Sequence, residues 1–208
     1  MDAFHSITGR IAHLPAANID TDVIMPKQFL KGIDRQGLDR GVFFDLRFLP
    51  DGSANPAFIL NQPAGKNAAF LLVGPNFGCG SSREHAVWGL NQLGIRAIIG
   101  TSFAGIFDDN CQRNGVLTLT LTEEAYQQLS AATTDAEENL ITVSLEDKTI
   151  TCNQQVLHFE ESALKREMLM GGGSAVDWTL QYESDIAQFE HQHFAQRPWL
   201  QRVKGQTA

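Results

Sequence analysis

Cysteine, long apolar runs and CxxC pairs are scarce or missing in this sequence of 208 residues. Its three cysteines, Cys79, Cys111 and Cys152, lie far apart. Such spacing makes a poor metal site and favours a reducing compartment over a disulfide framework, so we expect a cytoplasmic protein without its own metal. No segment approaches the roughly 18 apolar residues that span a membrane, and the first residues lack the apolar core of a signal peptide.

Positive charge is also in deficit. Lysine and arginine total 16 against 24 aspartates and glutamates, which gives a formal net charge of −8. A chain of this charge lacks the basic surface that binds nucleic acid or anionic membranes, so we expect neither as a partner. With 43% hydrophobic and 19% charged residues, the composition is that of a folded globular protein and not of a disordered chain.

The middle of the chain alternates between strand and helix patterns. The apolar run at 68–73 is typical of a strand buried on both faces. Further patterns predict a helix at 83–94, a strand at 96–100, a helix at 102–113 and a strand at 116–121. Parallel strands joined by such helices carry ligand sites beyond their carboxyl ends, where residues 78–83 fall.

The flanking segments complete the expected organisation. Thr122, followed by two glutamates, predicts a helix N-cap, and residues 139–160 alternate like antiparallel strands around a turn at Glu146 and Asp147. We expect a single domain over residues 1–208, with an irregular loop region at about 18–63. A helical extension is expected at about 160–200.

The stretch NFGCGSSREHA, residues 76–86, is unusually rich in small residues at a strand-to-helix connection. Gly78 and Gly80 let a ligand approach the backbone, and the following helix start offers free amides to an anion. Arg83 adds a planar charge that suits carboxylate or phosphate. Because the glycines match neither the Walker nor the GxGxxG spacing, we favour a carboxylate ligand.

Other interpretations of this stretch stay open. Ser81 and Glu84 have the spacing of a capping box, in which Ser81 only caps the helix. Cys79 near a helix start and His85 could form a nucleophilic pair, although a cysteine also fits a tight loop and His85 suits a structural hydrogen bond. The histidines of HQH at 191–193 would point to different sides of a helix, which argues against a shared metal.

Four segments together resemble a known family. NFGCGSSREHA, NIDTDVIMPKQFL (18–30), FDLRFL (44–49) and TSFAGIF (101–107) resemble small subunits of 3-isopropylmalate dehydratase, in the aconitase superfamily. The resemblance is specific over 14–121 and weaker towards the C-terminus. It implies an α/β fold, the swivelling β/β/α domain that ends aconitase, here as a separate polypeptide. It also implies a large-subunit partner that carries a [4Fe-4S] cluster, with no cofactor bound by this chain.

The reaction implied by the resemblance isomerises 2-isopropylmalate to 3-isopropylmalate through isopropylmaleate, in leucine biosynthesis. A base must remove a proton next to a carboxylate, and a Lewis acid, the cluster, must bind the leaving hydroxide. The resemblance makes Ser81 the base in its ionised form and assigns the substrate carboxylate to Ser82 and Arg83. Asp22 matches an acidic active-site position that would orient a cation.

The resemblance also assigns substrate selection to the loop Lys27–Arg35. Phe29 and Leu30 would contact the isopropyl group, and Arg35 a carboxylate. Near the end, GGGSAVDWTL replaces the family's Asp-x-Ile-Gly-Leu-Thr-Leu type of stretch, with Trp178 where relatives have glycine. The exact substrate therefore stays open among isopropylmalate and citramalate, dimethylmalate or homoaconitate types. A non-catalytic carboxylate-binding module and a hydrolase based on Cys79 are the alternatives from other classes.

Overall fold

The computed structural model describes residues 2–31, 35–134, 139–173 and 175–200. Within these residues seven strands form one sheet in the order β4, β3, β2, β1, β5, β6, β7. The strands are Ser6–Leu14 (β1), Phe70–Val73 (β2), Ala97–Gly100 (β3), Leu117–Thr120 (β4), Leu140–Ser144 (β5), Thr149–Cys152 (β6) and Gln155–His158 (β7).

Eight α-helices accompany the sheet in the described residues. They are Thr21–Ile24 (α1), Phe44–Arg47 (α2), Glu84–Gln92 (α3), Gly105–Arg113 (α4), Glu123–Ala132 (α5), Ala163–Gly171 (α6), Ala175–Leu180 (α7) and Glu183–Gln196 (α8). Short 3₁₀ turns occupy Lys27–Leu30, Leu38–Arg40, Ile59–Asn61 and Pro198–Leu200. None of these helices has the length and apolar character needed to cross a membrane.

Strand β1 joins a parallel half of the sheet to an antiparallel half. Its residues 6–10 pair antiparallel with β5, and residues 11–14 pair parallel with β2. Strands β2, β3 and β4 continue in parallel, whereas β5, β6 and β7 form antiparallel pairs. The predicted strands and crossover helices from β2 to β4, and the antiparallel strands after them, are confirmed.

Two apolar clusters cover the two faces of the parallel strands. In β2, Phe70 and Leu72 join the cluster that contains α5 and α6, and Leu71 and Val73 join the one that contains α3 and α4. Successive side chains of a strand point to opposite faces, so burial of both faces requires the continuous apolar run seen in the sequence. Each fully buried Leu or Phe contributes about 1.5 to 3 kcal/mol to folding.

A buried lysine links α6 to the parallel half of the sheet. Lys165 is 8% exposed. Its Nζ donates to the carbonyl oxygen of Thr118 at 3.1 Å and to the hydroxyl of Thr118 at 2.9 Å. The same Nζ lies 3.3 Å from Asp108 Oδ1 and 3.0 Å from Glu161 Oε2. These contacts tie together α4, β4 and α6.

Candidate functional site

The loops that follow β1, β2 and β3 meet at one edge of the sheet. Thr21 N donates to the carbonyl of Cys79 at 2.9 Å, and Ala104 N donates to the carbonyl of Phe77 at 3.0 Å. Because the three strands are parallel, their carboxyl ends open at the same edge, as expected for a ligand site in such a sheet. Main-chain hydrogen bonds thus hold the three loops together.

A cavity of about 140 Å³ lies between these loops. It brings together Ser81, Ser82 and Arg83, the three residues that the sequence singled out in the glycine-rich stretch. Its remaining lining residues are Thr21, Gly78, Gly80, Ala104, Gly105, Ile106, Phe107 and Asn110. The cavity is therefore formed by the β1, β2 and β3 loops together with the start of α4.

The backbone conformation favours glycine at positions 78 and 80, and close packing adds a second requirement at position 78. Gly78 and Gly80 have φ angles of 76° and 87°, which favour glycine. A Cβ atom on Gly78 would also lie 2.2 Å from Cγ of Phe107. The one on Gly80 would meet its nearest atom, the Cβ of Asp20, at 3.3 Å. Close packing of the loop on Phe107 therefore requires glycine at 78.

Arg83 is paired with Asp22, which lies 61 positions earlier in the chain. Arg83 Nη2 donates to Asp22 Oδ2 at 3.0 Å, and Nη1 donates to Oδ1. The arginine side chain is 13% exposed and the aspartate side chain 41%. The hydrogen bond from Arg83 lowers the pKa of Asp22 below its ordinary value. Since a guanidinium has five N–H donors, the pair fixes its orientation and leaves donors for an anion.

Two helix starts border the cavity: that of α3, which the sequence pattern predicted and whose N-cap residue Arg83 lines the cavity, and that of α4. Helix α3 begins at Glu84, its N-cap position is Arg83, and no side chain caps it. The capping-box interpretation of Ser81 is therefore wrong. Glu84 Oε1 instead accepts a hydrogen bond from Asn114 Nδ2 at 2.9 Å.

Helix α4 presents its first turn to the cavity. Gly105, Ile106 and Phe107 line the cavity, and no side chain caps the helix at Ala104. The open amides of a helix start carry partial positive charge and attract anions. A carboxylate in this cavity would face both Arg83 and the start of α4.

The residues predicted for substrate selection lie outside this cavity. Phe29 packs its ring 5.0 Å from that of Phe44, and Phe29 and Leu30 both pack against the α3 and α4 cluster. The Arg35 guanidinium lies 4.1 Å from the centre of the Trp88 ring, a cation–π contact. Residues 32–34 of the predicted loop fall outside the described residues. The roles of Phe29, Leu30 and Arg35 stay predictions.

Cys79 and His85 do not form a pair in the described chain. Cys79 contributes its carbonyl to the loop contacts and does not line the cavity. The His85 ring packs 4.7 Å from that of Trp88, and the hydrogen bond expected for His85 is not formed with any described residue. Across the described ranges no group of three or more His, Cys, Asp and Glu could hold a metal ion.

Asn110 is a site residue that the sequence reasoning missed. It lines the cavity and is 9% exposed. It lies on the buried side of α4 with Phe107 and Cys111. A polar side chain on the apolar face of an amphipathic helix was the signal that could have identified it.

Comparison with known proteins places the chain in a family. The aconitase C-terminal domain family matches residues 1–124, and the family of C-terminal domains of 3-isopropylmalate dehydratase small subunits matches residues 176–203. The 3-isopropylmalate dehydratase small subunit 2 of Salmonella typhimurium is 61% identical over 97% of this chain and 97% of its own. This chain belongs to the family of 3-isopropylmalate dehydratase small subunits. The family predicted from the four segments is confirmed.

Other members of the 3-isopropylmalate dehydratase family are similarly close along their whole length. Small subunit 1 of Mannheimia succiniciproducens is 57% identical over 96% of this chain and 99% of its own. The crystal structure of a 3-isopropylmalate dehydratase from Methanocaldococcus jannaschii matches with a TM-score of 0.65 at 25% identity. That match covers 88% of this chain and 98% of the other. The predicted α/β fold of the last aconitase domain is therefore confirmed.

Proposed function

We propose that this chain supplies the base and a carboxylate-binding site to a 3-isopropylmalate dehydratase, a hydro-lyase of leucine biosynthesis. The reaction converts 2-isopropylmalate to 3-isopropylmalate through isopropylmaleate. The observation that carries the proposal is the cavity, in which Ser81, Ser82 and Arg83 meet the uncapped start of α4. Two hydroxyls, a guanidinium and free amides suit a small hydroxy acid with carboxylate groups.

Ser81 is proposed as the base that removes the proton next to a substrate carboxylate. A serine hydroxyl is too weak a base at neutral pH unless its ionised form is stabilised. The Arg83 guanidinium and the α4 amides border the same cavity and would stabilise an alkoxide once water is excluded. Ser82 and Arg83 would hold the carboxylate, while Asp22 orients Arg83 through the two hydrogen bonds.

A large subunit is proposed as the obligate partner, because relatives carry the name of small subunits. This chain's residues do not fit a [4Fe-4S] cluster, which requires several close thiolates. Cys111 and Cys152 lie in different apolar clusters and Cys79 lies in the loop, so the three thiols do not converge. We therefore assign the cluster to the large subunit, and the expulsion of hydroxide with it.

The central experiment compares Ser81→Ala with Ser53→Ala in the complex reconstituted with the large subunit. Ser53 lies in an exposed turn where it donates to Asp51 at 2.6 Å, so its loss leaves the cavity unchanged. We expect Ser81→Ala to lower kcat for 2-isopropylmalate by roughly 100- to 10,000-fold, the range for general base catalysis, with the complex intact. Full activity of Ser81→Ala would remove Ser81 as the base.

The carboxylate clamp has its own test. Arg83→Lys keeps the positive charge but cannot reproduce the planar fork, so KM should rise more than kcat falls. An unchanged KM would contradict the assignment of Arg83 to the substrate carboxylate. If the chain were a non-catalytic module, it would bind a carboxylate by itself and the reconstituted complex would show no turnover.

Substrate identity is decided by comparing kcat/KM for 2-isopropylmalate and citramalate with the same complex. The proposal expects a preference for 2-isopropylmalate, and Phe29→Ala should reduce that preference if Phe29 contacts the isopropyl group. A higher kcat/KM for citramalate would assign the chain to a related alkylmalate dehydratase.

Cys79→Ser should retain activity, whereas its inactivity would favour the cysteine-based alternative.

Three further expectations accompany the proposal. The three cysteines are free thiols, which agrees with a reducing, cytoplasmic location.

The single domain over residues 1–208, with loops at about 18–63 and helices at about 160–200, stays a prediction. Residues 1, 32–34, 135–138, 174 and 201–208 of that range lie outside the described residues. The swivelling of this domain against the large subunit is likewise proposed, as the motion that excludes water from Ser81.

A further inference from the structure

Asn110 presents a polar side chain to the cavity. The residue is 9% exposed and lines the cavity together with Ser81, Ser82 and Arg83. Its backbone carbonyl accepts hydrogen bonds from Asn114. No described residue forms a hydrogen bond with its carboxamide. Its side-chain N and O atoms are not among the fully buried, unpaired atoms of the described residues, so they are reachable from the cavity, where a ligand can pair with them.

The surroundings of Asn110 favour an anionic ligand. The cavity wall next to it is the first turn of α4, which no side chain caps. Neither aspartate of α4 lines the cavity. The carboxylate of Asp108 accepts a hydrogen bond from Thr118 and faces Lys165, and Asp109 is exposed. Negative charge from α4 is thus directed away from the cavity.

We propose that the carboxamide of Asn110 binds a carboxylate of the substrate, acting with the α4 amides as a second binding surface opposite Arg83. The Nδ2 group would donate to a carboxylate oxygen, and the first amides of α4 would add partial positive charge. Asn110 is then a substrate-binding residue and not part of the acid–base chemistry. This inference rests on the proposed function, because it takes the ligand to be the dicarboxylate hydroxy acid.

The proposal makes an unusual prediction about stability. A residue kept for packing should lower stability when changed, whereas a side-chain amide that forms no hydrogen bond within the protein contributes no such bond to folding. Asn110→Leu has a similar size and no polar group, so it should leave the melting temperature unchanged or raise it. The same variant should bind substrate more weakly. If Asn110 had only a structural role, Asn110→Leu should lower the melting temperature and leave substrate binding unchanged.

Substrate binding is best measured with the reconstituted complex that carries Ser81→Ala, because turnover does not interfere there. We expect titration calorimetry with 2-isopropylmalate to give a Kd that rises roughly 10- to 100-fold when Asn110→Leu is added, the loss of one hydrogen bond to a charged group. Asn110→Asp keeps the shape and adds a repelling charge, so its Kd should rise at least as much. Asp109→Asn, on the exposed side of the same helix, serves as the charge-change control and should leave Kd unchanged.

Steady-state kinetics of the complex with wild-type Ser81 distinguish a failure of the proposed function from a failure of the Asn110 role alone. If the wild-type complex does not turn over 2-isopropylmalate, the proposed function fails. If that complex is active and Asn110→Leu and Asn110→Asp keep the wild-type KM and Kd, only the role of Asn110 is overturned. Should Asn110→Leu fail to fold, the isosteric Asn110→Asp decides the matter. The expected outcome is a raised KM in both variants, with a smaller change in kcat.

Discussion

Replacing Gly78 by alanine tests whether the position of α4 depends on the glycine-rich loop. The new Cβ would lie 2.2 Å from Cγ and 2.7 Å from Cβ of Phe107. Since the Cβ of Phe107 is fixed to the backbone of α4, a turn of the ring alone cannot relieve this contact, although the ring lines the cavity. The contact must be relieved by moving the loop or the first turn of α4.

Two contributions to the loss of stability are expected for Gly78→Ala. Alanine in the left-handed region costs about 1 to 2 kcal/mol, since φ is 76° at this position. Overpacking against a buried ring adds about 1 to 3 kcal/mol. The free energy of unfolding should therefore fall by about 2 to 5 kcal/mol.

Gly52→Ala is the matched control, because it separates the backbone effect from the contact. Gly52 has a φ of 82°, and its added Cβ would meet no atom within 4 Å. Only the backbone penalty of about 1 to 2 kcal/mol applies there. The two variants should thus differ by about 1 to 3 kcal/mol, or about 2 to 12 °C in Tm for a chain of this size.

Urea unfolding followed by circular dichroism, with kcat/KM of the reconstituted complex, provides the assay. Gly78→Ala should lower kcat/KM because it displaces the wall of the cavity formed by Phe107, whereas Gly52→Ala should not. Equal losses of stability in the two variants would refute the claim that the loop packs on Phe107. Unchanged kcat/KM in a destabilised Gly78→Ala would show that the start of α4 does not serve the substrate.

Three further outcomes follow from contacts described above. The pKa of Asp22 lies below its ordinary value of 3.8, so the ion pair with Arg83 stabilises the fold at pH values above 3.8, and this stabilisation is lost as the pH falls through the lowered pKa. Arg83→Met should return the Asp22 pKa, measured by NMR, towards 3.8 and remove this pH dependence of stability. An Asp22 pKa that does not change in Arg83→Met would contradict the ion pair. Lys165→Met should lower the free energy of unfolding, measured by urea titration, by about 3 kcal/mol, because the carboxylates of Asp108 and Glu161 then lose their buried cation. A loss below about 1 kcal/mol would contradict a stabilising role of the Lys165 ion pairs. Thr122→Ala should lower the free energy of unfolding by about 1 kcal/mol by the same method, since the Thr122 hydroxyl accepts from Ala125 N at 3.2 Å, and no change would mean that water replaces the cap.

The parallel half of the sheet was predictable from the sequence because burial on both faces requires continuous apolar runs. Strand β1 was not predicted, although it is the central strand. Its outer half exposes Ser6 and Thr8 and partly exposes Ile7, so its pattern carries little of the apolar signal. Pairing with β5 and β2, far away in the sequence, determines its conformation.

The residues of the glycine-rich stretch were identified from the sequence, but their local geometry was not. Arg83 has extended backbone angles (φ −141°, ψ 108°), so α3 begins at Glu84 and Ser81 does not occupy the capping position. The helical periodicity of α4 could place Asn110 on the apolar face of the helix, but its position in the cavity depends on that face turning towards the loop. Residue type predicts chemistry, whereas the direction of a side chain depends on which helix face the fold covers.

Some of the hydrogen bonds among the three loops join only main-chain atoms, whereas others use the side chains of Thr21, Asn76 and Ser102, and this difference bears on how the site tolerates mutation. Cys79, for example, takes part through its carbonyl oxygen, which every amino acid possesses. Side chains at such positions are therefore replaceable one at a time while Ser81 and Arg83 keep their places. A scaffold of this kind would let residues that line the cavity change while the proposed base and carboxylate-binding residues keep their places.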